Sequence, residues 1–429
     1  MKADSLKFNT FSPKGKLRRA ALVRAIAAVL ALLVLLPPAV RAETAGVFKD
    51  PVKQNGEGPS PHYHIDSPAA QGSLPVQRRD IAPGELDCMA DARSAVLIDA
   101  GTGQLLLSSN PDERLPMAST TKTMTALVVL ENCSPDEVVT VPNEAVGVDG
   151  SSLYLAYGER LTVRDLLYGL MLRSGNDCAV ALAIHVGGSV EGFAAMMNER
   201  AQRLGLVNTH FVTPNGLHDA EHYTTAFELA LIGAEALKNP VFREIVSTKY
   251  YTIDSSIRSI TVKNKNSMLW DYEDCIGVKT GYTSQAGRCL LFAAERDGLL
   301  LVGCVLNCRP MFDVAPEMLD YGFENYSAVN AVEKGAEVAR ANVGSGSLPV
   351  LAGSTVVIPV KKGEALNLSL SVELDESITA PIMQGAPIGE AIISADGVQL
   401  ARIPLVAGES VLPRNYRFYF DYLVDSFAP

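Results

Sequence analysis

Three short strings, standing in one order along the chain, have the residue types for acyl transfer: Ser119-Thr120-Thr121-Lys122, Ser174-Gly175-Asn176 and Lys279-Thr280-Gly281. A serine three residues before a lysine shares a helix face with it, so the amine can take the hydroxyl proton and make the serine a nucleophile. A helix starting at Ser119, just after Pro116, would add the positive end of its dipole, and burial beside other cations would lower the Lys122 pKa towards that of a base. Ser174 and Asn176, two apart in a loop, can face one cleft. The hydroxyl would relay a proton and the amide would offer both a donor and an acceptor to a substrate backbone. Lys279 and Thr280, after the β-favouring Ile276-Gly277-Val278, can hold a carboxylate at a strand edge, with Gly281 leaving room for a peptide to pair there. Each string alone reads equally well as an N-cap, a glycine turn or a cationic strand end, so the surrounding elements must decide.

Those elements are legible. Residues 94–99 read as a strand, Ala100-Gly101-Thr102-Gly103 as a tight turn, and Leu105-Leu106-Leu107 as the return strand. Thr162-x-x-Asp165 is a capping box opening a helix that delivers Ser174 at its end; Ser189 opens a second helix that stops at Gly205, and Thr225-x-x-Glu228 opens a third. Beyond Thr248 the pattern turns to strands at 250–253, 275–280, 288–294 and 299–306. Strands at both ends with helices between predict one sheet built from distant pieces and covered by a helical cluster. Gly344-Ser345-Gly346-Ser347 is read as punctuation within a linker over 329–347. Leu366, Leu368, Leu370, Val372 and Leu374 alternate with polar residues as in a half-buried strand, and Asp396-Gly397 marks a hairpin. Residues 348–412 therefore read as a small all-β, sandwich-like domain, followed by a tail over 413–429.

The ends and the charge place the chain in the cell. Residues 1–42 hold eight Lys or Arg and one acid, leaving 29 basic against 47 acidic residues, a net −18, for the rest. A body that acidic is not a nonspecific nucleic-acid binder. The basic start precedes the apolar run 25–36, Pro37-Pro38 and Val40-Arg41-Ala42, the order of a secretory signal peptide cleaved after Ala42; the run is short for a membrane span. Residues 43–83, rich in Pro, Gly, Ser and Gln, read as a disordered tether, so the protein is expected outside the cytoplasm. Tyr416, Phe418, Phe420 and Tyr422 in the tail read first as a strand or frayed end, with peripheral membrane contact as the alternative. Seven cysteines, an odd number without zinc-like spacing, are expected mostly as small buried hydrophobes. His218 and His222 are four apart, but Asp219 stands where a zinc-protease helix needs glutamate and Pro214-Asn215-Gly216 indicates a loop, so no metal or cofactor is expected.

Together the three strings resemble the low-molecular-mass penicillin-binding proteins, specifically the serine-type D-alanyl-D-alanine carboxypeptidases. The resemblance runs over 84–326, including Thr213-Pro214-Asn215-Gly216-Leu217 and Asp320-Tyr321-Gly322-Phe323, and more weakly through Ala380-Pro381-Ile382-Met383-Gln384-Gly385 and Leu405-Val406-Ala407. It implies a β-lactamase/transpeptidase-like α/β catalytic domain over 84–328 with an antiparallel sheet and helical cluster, then the small all-β domain. It also implies Ser119 as nucleophile, Lys122 as base, Ser174 and Asn176 in proton transfer and positioning, Lys279 and Thr280 on the terminal carboxylate, and an oxyanion hole from the N–H groups of Ser119 and Tyr282 beside Gly281. The implied partners are a peptidoglycan stem peptide ending in D-Ala-D-Ala, and β-lactams as inhibitors. A serine β-lactamase is the nearest alternative, but no Glu-x-x-Leu-Asn lies between Ser174 and Lys279 to deacylate it. A non-catalytic peptidoglycan-binding or penicillin-sensing protein is the other, and it would be expected to lack the nucleophile or the base.

Overall fold

The computed structural model describes residue 84, residues 86–412 except 345, 365, 366, 376, 377 and 396, and residue 420. The expected signal segment and tether lie outside the described residues, as does the tail apart from Phe420, and so does Leu366 of the alternating strand.

The first body of the described chain is organised on a five-stranded antiparallel sheet. Strand β1 (Ala92–Asp99) and its hairpin partner β2 (Leu105–Ser109) come from the start of the body. Between them and the remaining strands the chain forms α1 (Lys122–Asn132), a small pair β3 (Val138–Thr140) and β4 (Arg160–Thr162), then α2 (Val163–Tyr168), α3 (Asn176–Gly187), α4 (Val190–Arg203), α5 (Ala226–Leu237) and α6 (Pro240–Ser247). A hairpin β5 (Tyr250–Asp254) and β6 (Ser259–Lys263) and the short α7 (Met268–Asp271) lead to β7 (Cys275–Thr283), β8 (Gly287–Arg296) and β9 (Leu299–Cys308), and α8 (Met311–Asn325) closes the body. The sheet order is β2-β1-β9-β8-β7, which leaves β7 as an edge.

Apolar residues occupy both phases of β8 because both sheet faces are covered. Cys289, Leu291 and Ala293 join the large core with α1, α3 and α5; Leu290, Phe292 and Ala294 join the smaller core under α8. Gly233 lets α5 approach closely, since a side chain there would meet Leu291 and Val302. The capping residues act as read: the side chains of Thr162, Ser189 and Thr225 accept from the backbone N–H groups of Asp165, Gly192 and Glu228.

Several expectations need correction. The strand at 250–253 does not join the sheet; it pairs only with β6 in a separate hairpin. The linker at 329–347 is instead β10 (Tyr326–Val332), β11 (Glu337–Val343) and the start of β12 (Gly346–Ala352). Val343 pairs with Gly346, so the glycine-serine run is the turn of a hairpin, with Gly344 at φ 59°. The following strands are β13 (Val356–Lys361), β14 (Leu368–Leu374), β15 (Pro387–Ala395) and β16 (Val398–Ala407). They build a second antiparallel sheet, β11-β12-β16-β15-β14, accompanied by the pair β10-β13, around a core of their own. Ala395 pairs with Val398 across the expected 396–397 turn. Strand β14 is an edge of this sheet; of its alternating apolar residues, Leu368 and Leu370 stand exposed at 41% and 39%, while Val372 and Leu374 pack against the core.

Candidate active site

Ser119 lies in a 3-10 turn, Ala118–Thr121, that runs straight into α1, so Lys122 is the first residue of the α-helix. Ala118 takes a left-handed φ of 50°, which turns the chain sharply before the serine. The turn is held from three sides: Thr121 Oγ1 donates to the Ala118 carbonyl at 2.8 Å, Thr120 Oγ1 donates to the Met117 carbonyl at 2.6 Å, and Gly216 presses against Ala118. Lys122 is fully buried, and its Nζ donates to Ser119 Oγ at 2.9 Å, Asn176 Oδ1 at 2.7 Å and the Asn215 carbonyl at 2.7 Å. Burial first, and the Lys279 charge second, push this amine well below the usual lysine range. A buried lysine with three acceptors and, among the described residues, no carboxylate hydrogen-bonded to it is an amine placed to hold or release a single proton at Ser119 Oγ.

Ser174 ends a π-helical turn, Gly169–Arg173, and also takes a left-handed φ of 64°. Wide turns of this kind recur where a side chain must be re-aimed at a functional site. The expected extended loop is in fact a two-residue break, with Gly175 capping α3 and Asn176 as its first residue. Asn176 is fixed from both ends, since its Nδ2 donates to the Asp149 carbonyl at 2.5 Å and its N–H to the Ser151 carbonyl at 2.7 Å. Its neighbour Asp177 accepts from the N–H groups of Leu153 and Leu155 at 2.9 and 3.1 Å, stitching the 151–155 segment onto the start of α3.

Edge strand β7 completes the arrangement. Gly281 lies against the serine turn; a Cβ there would sit 3.0 Å from the Ser119 nitrogen and 3.1 Å from the Met117 carbonyl oxygen. Lys279 is buried, donates to the Thr280 carbonyl at 3.0 Å, and is lowered to about 7 by burial and then by the Lys265 charge. An open cleft of about 680 Å³ has Ser119, Ser174, Thr280, Gly281 and Tyr282 on its wall. Of the residues expected from sequence, these five face the cleft, and Lys122, Asn176 and Lys279 are buried.

Other contributors carried no sequence signal. Lys265, Arg288 and Arg309 line the same cleft and surround it with positive charge. Lys265 Nζ donates to Ser151 Oγ at 2.9 Å, and its segment is anchored by buried Asn264, whose amide donates to the Val246 and Thr248 carbonyls. Asn215 acts on Lys122 through its backbone carbonyl, which no side-chain pattern encodes. His222, set aside above as a metal ligand, has a structural part: its Nδ1 accepts from the Val212 and Thr213 N–H groups, leaving Nε2–H to donate to Thr121 Oγ1 at 2.8 Å.

A serine bonded to a buried lysine beneath an antiparallel edge strand defines the serine acyl-transferases that react with penicillin. The chain belongs to the D-alanyl-D-alanine carboxypeptidase family, which matches residues 82–309, and residues 326–412 match the C-terminal domain of penicillin-binding protein 5. It is 32% identical over 334 residues to the D-alanyl-D-alanine carboxypeptidase DacF of Bacillus subtilis, covering 75% of this chain and 86% of the relative. It is 41% identical over 244 residues to the D-alanyl-D-alanine carboxypeptidase of Streptomyces sp. K15, covering 52% and 84%. The crystal structure of penicillin-binding protein 5 from Haemophilus influenzae aligns with a TM-score of 0.61 at 32% identity over 75% of this chain and 98% of that one.

Proposed function

We propose that this protein is a serine D-alanyl-D-alanine carboxypeptidase that removes the terminal D-alanine of peptidoglycan stem peptides through an ester on Ser119. The observation that carries the assignment is the 2.9 Å hydrogen bond between Ser119 Oγ and the fully buried Lys122 amine. Neutral Lys122 takes the Ser119 proton as Oγ attacks the carbonyl between the two D-alanines. The N–H groups of Ser119 and Tyr282 receive the oxyanion, Asn176 holds the peptide backbone, and Ser174 passes the proton to the departing amine. D-Alanine leaves with that proton; Lys122, neutral again, takes a proton from the water that attacks the ester and delivers it to Ser119 Oγ as the shortened peptide is released. Lys279 and Thr280 hold the terminal carboxylate, in a field strengthened by Lys265 and Arg309 on the cleft wall. A β-lactam enters the same cycle and stops at a slowly hydrolysed ester.

Residues 1–42 serve as an export signal, 43–83 as a tether and 84–328 as the catalytic domain, which places the cleft outside the cytoplasm where the polymer lies. Two assays test the reading. Fluorescent penicillin labels the protein covalently, and Ser119→Ala abolishes the label; a label that persists on that variant removes Ser119 as the nucleophile. A peptide ending in D-Ala-D-Ala releases free D-alanine, whereas rapid β-lactam hydrolysis with no peptide turnover would favour a lactamase. Deleting residues 413–429 tests membrane contact, because release from lipid vesicles would assign that contact to the tail.

A further inference from the structure

The two helices that carry Lys122 and Asn176 at their first positions also meet at their other ends. Cys133 is the C-cap of α1, His185 lies in the last turn of α3, and Glu137 follows Cys133 by four residues in the loop leading to β3. The Cys133 Sγ, a Glu137 carboxylate oxygen and a His185 ring nitrogen all lie within 4.8 Å of one another. The His185 Nε2 to Glu137 Oε1 separation is 2.8 Å. The loop that presents two of them is held by backbone hydrogen bonds from Cys133 to Val129, from Glu137 to Ser134 and from Val163 to Glu137.

We propose that Cys133, Glu137 and His185 bind a zinc-class divalent cation that ties the far ends of α1 and α3 together. Thiolate, imidazole and carboxylate are the donor types zinc takes, and three protein ligands plus one water complete a tetrahedron. Two helix C-termini converge here, and their carbonyl ends favour a cation. Tetrahedral geometry needs about 3.3 Å between nitrogen and oxygen ligands, so the Glu137 side chain, 46% exposed, has only to swing outward by about half an ångström. Binding displaces the thiol proton of Cys133 to solvent and breaks the His185–Glu137 hydrogen bond, the proton on Nε2 being lost to solvent with the ring's other proton held on Nδ1, so that Nε2 is free to ligate; no electron is transferred. Because α1 and α3 begin at Lys122 and Asn176, the ion braces the two elements whose register sets the 2.7 Å Lys122–Asn176 bond from the end opposite the cleft.

The test uses cobalt(II) as the probe, since a cobalt–thiolate bond gives a near-ultraviolet charge-transfer band. Titrating the purified protein should produce that band with saturable stoichiometry, and zinc should remove it by displacement. Cys133→Ser and His185→Gln should each weaken binding by about 100-fold or more, while both variants still react with fluorescent penicillin and so remain folded. If Cys133→Ser does not fold, Glu137→Gln and His185→Gln carry the comparison. Absence of the band in the parent, its persistence in Cys133→Ser, or unchanged affinity in His185→Gln would overturn the proposal.

Discussion

Replacing Gly216 with alanine perturbs the turn that carries Ser119, the proposed nucleophile, without altering that residue. Gly216 has φ +82°, and a Cβ there would run into the Ala118 carbonyl and come within 2.8 Å of Thr121 Oγ1. The left-handed backbone alone costs alanine about 1 kcal/mol. The overlap is with backbone, where ordinary contact begins near ~3.5 Å, so relief takes a shift of about 1 Å in the serine turn or in Asn215-Gly216. Overpacking of this kind adds roughly 1–3 kcal/mol, for a total of about 2–4 kcal/mol and a fall in Tm of about 5–15 °C for a domain of this size. The kinetic effect should be larger. A 1 Å misplacement of a reacting group costs on the order of 100-fold in rate, and moving Asn215 also withdraws one of the three acceptors of Lys122. The assay is the second-order rate constant for acylation by fluorescent penicillin, measured well below the variant's own Tm. An acylation rate within about twofold of the parent, with Tm unchanged, would refute the claim that Gly216 sets the position of the serine turn.

Three further outcomes are expected. Lys279→Gln removes the second-largest influence on the Lys122 amine, and losing a neighbouring cation favours its protonated form; the acid limb of the acylation pH profile should therefore move to higher pH, and a downward shift would exclude Lys122 as the titrating base. Burial holds His222 at about 4 against an ordinary 6.5, so the unfolded chain takes up the proton first; stability should be full above pH 6.5 and fall by roughly 3 kcal/mol as pH drops through about 4, and denaturant titrations of His222→Gln should show a shallower loss over that window. Thr162→Ala deletes the cap of α2 and should cost about 1 kcal/mol, a fall in Tm of about 2–4 °C, with the acylation rate unchanged; a slower acylation would show that the cap reaches Ser174.

What could be read from the sequence is what short-range chemistry controls. Thr162, Ser189 and Thr225 announce their helices because a cap is satisfied within three residues. The edge position of Lys279-Thr280-Gly281 follows from its β-favouring approach and the glycine after it. The misreadings have physical causes too. Residues 250–253 have strand composition, but composition does not say which strand they pair with, and they pair with β6. Gly344-Ser345-Gly346-Ser347 has the same content in a linker as in a hairpin, and only the pairing of Val343 with Gly346 distinguishes them. Asn215 contributes a carbonyl, Ala118 and Ser174 contribute left-handed backbone, and Lys265 lines the cleft next to an Asn264 that is anchored to the carbonyls of Val246 and Thr248 at the end of α6. None of these has a side-chain spacing to read.

The pairing of β1 with β9, which joins Ala92 to Cys308, sets when this protein can become itself. The central strand of the sheet is the last strand of the catalytic body to be synthesised, and the edge that faces Ser119 arrives only just before it. Until then the helices hold apolar faces with no sheet to cover them, and the two halves of the cleft are separated by most of the domain. Such non-local closure is slow and exposes the growing chain to aggregation. A chain interrupted between residues 122 and 308 would thus carry Ser119 and Lys122 intact and still have no site, so the acylation by penicillin proposed above would report completed folding of the whole body.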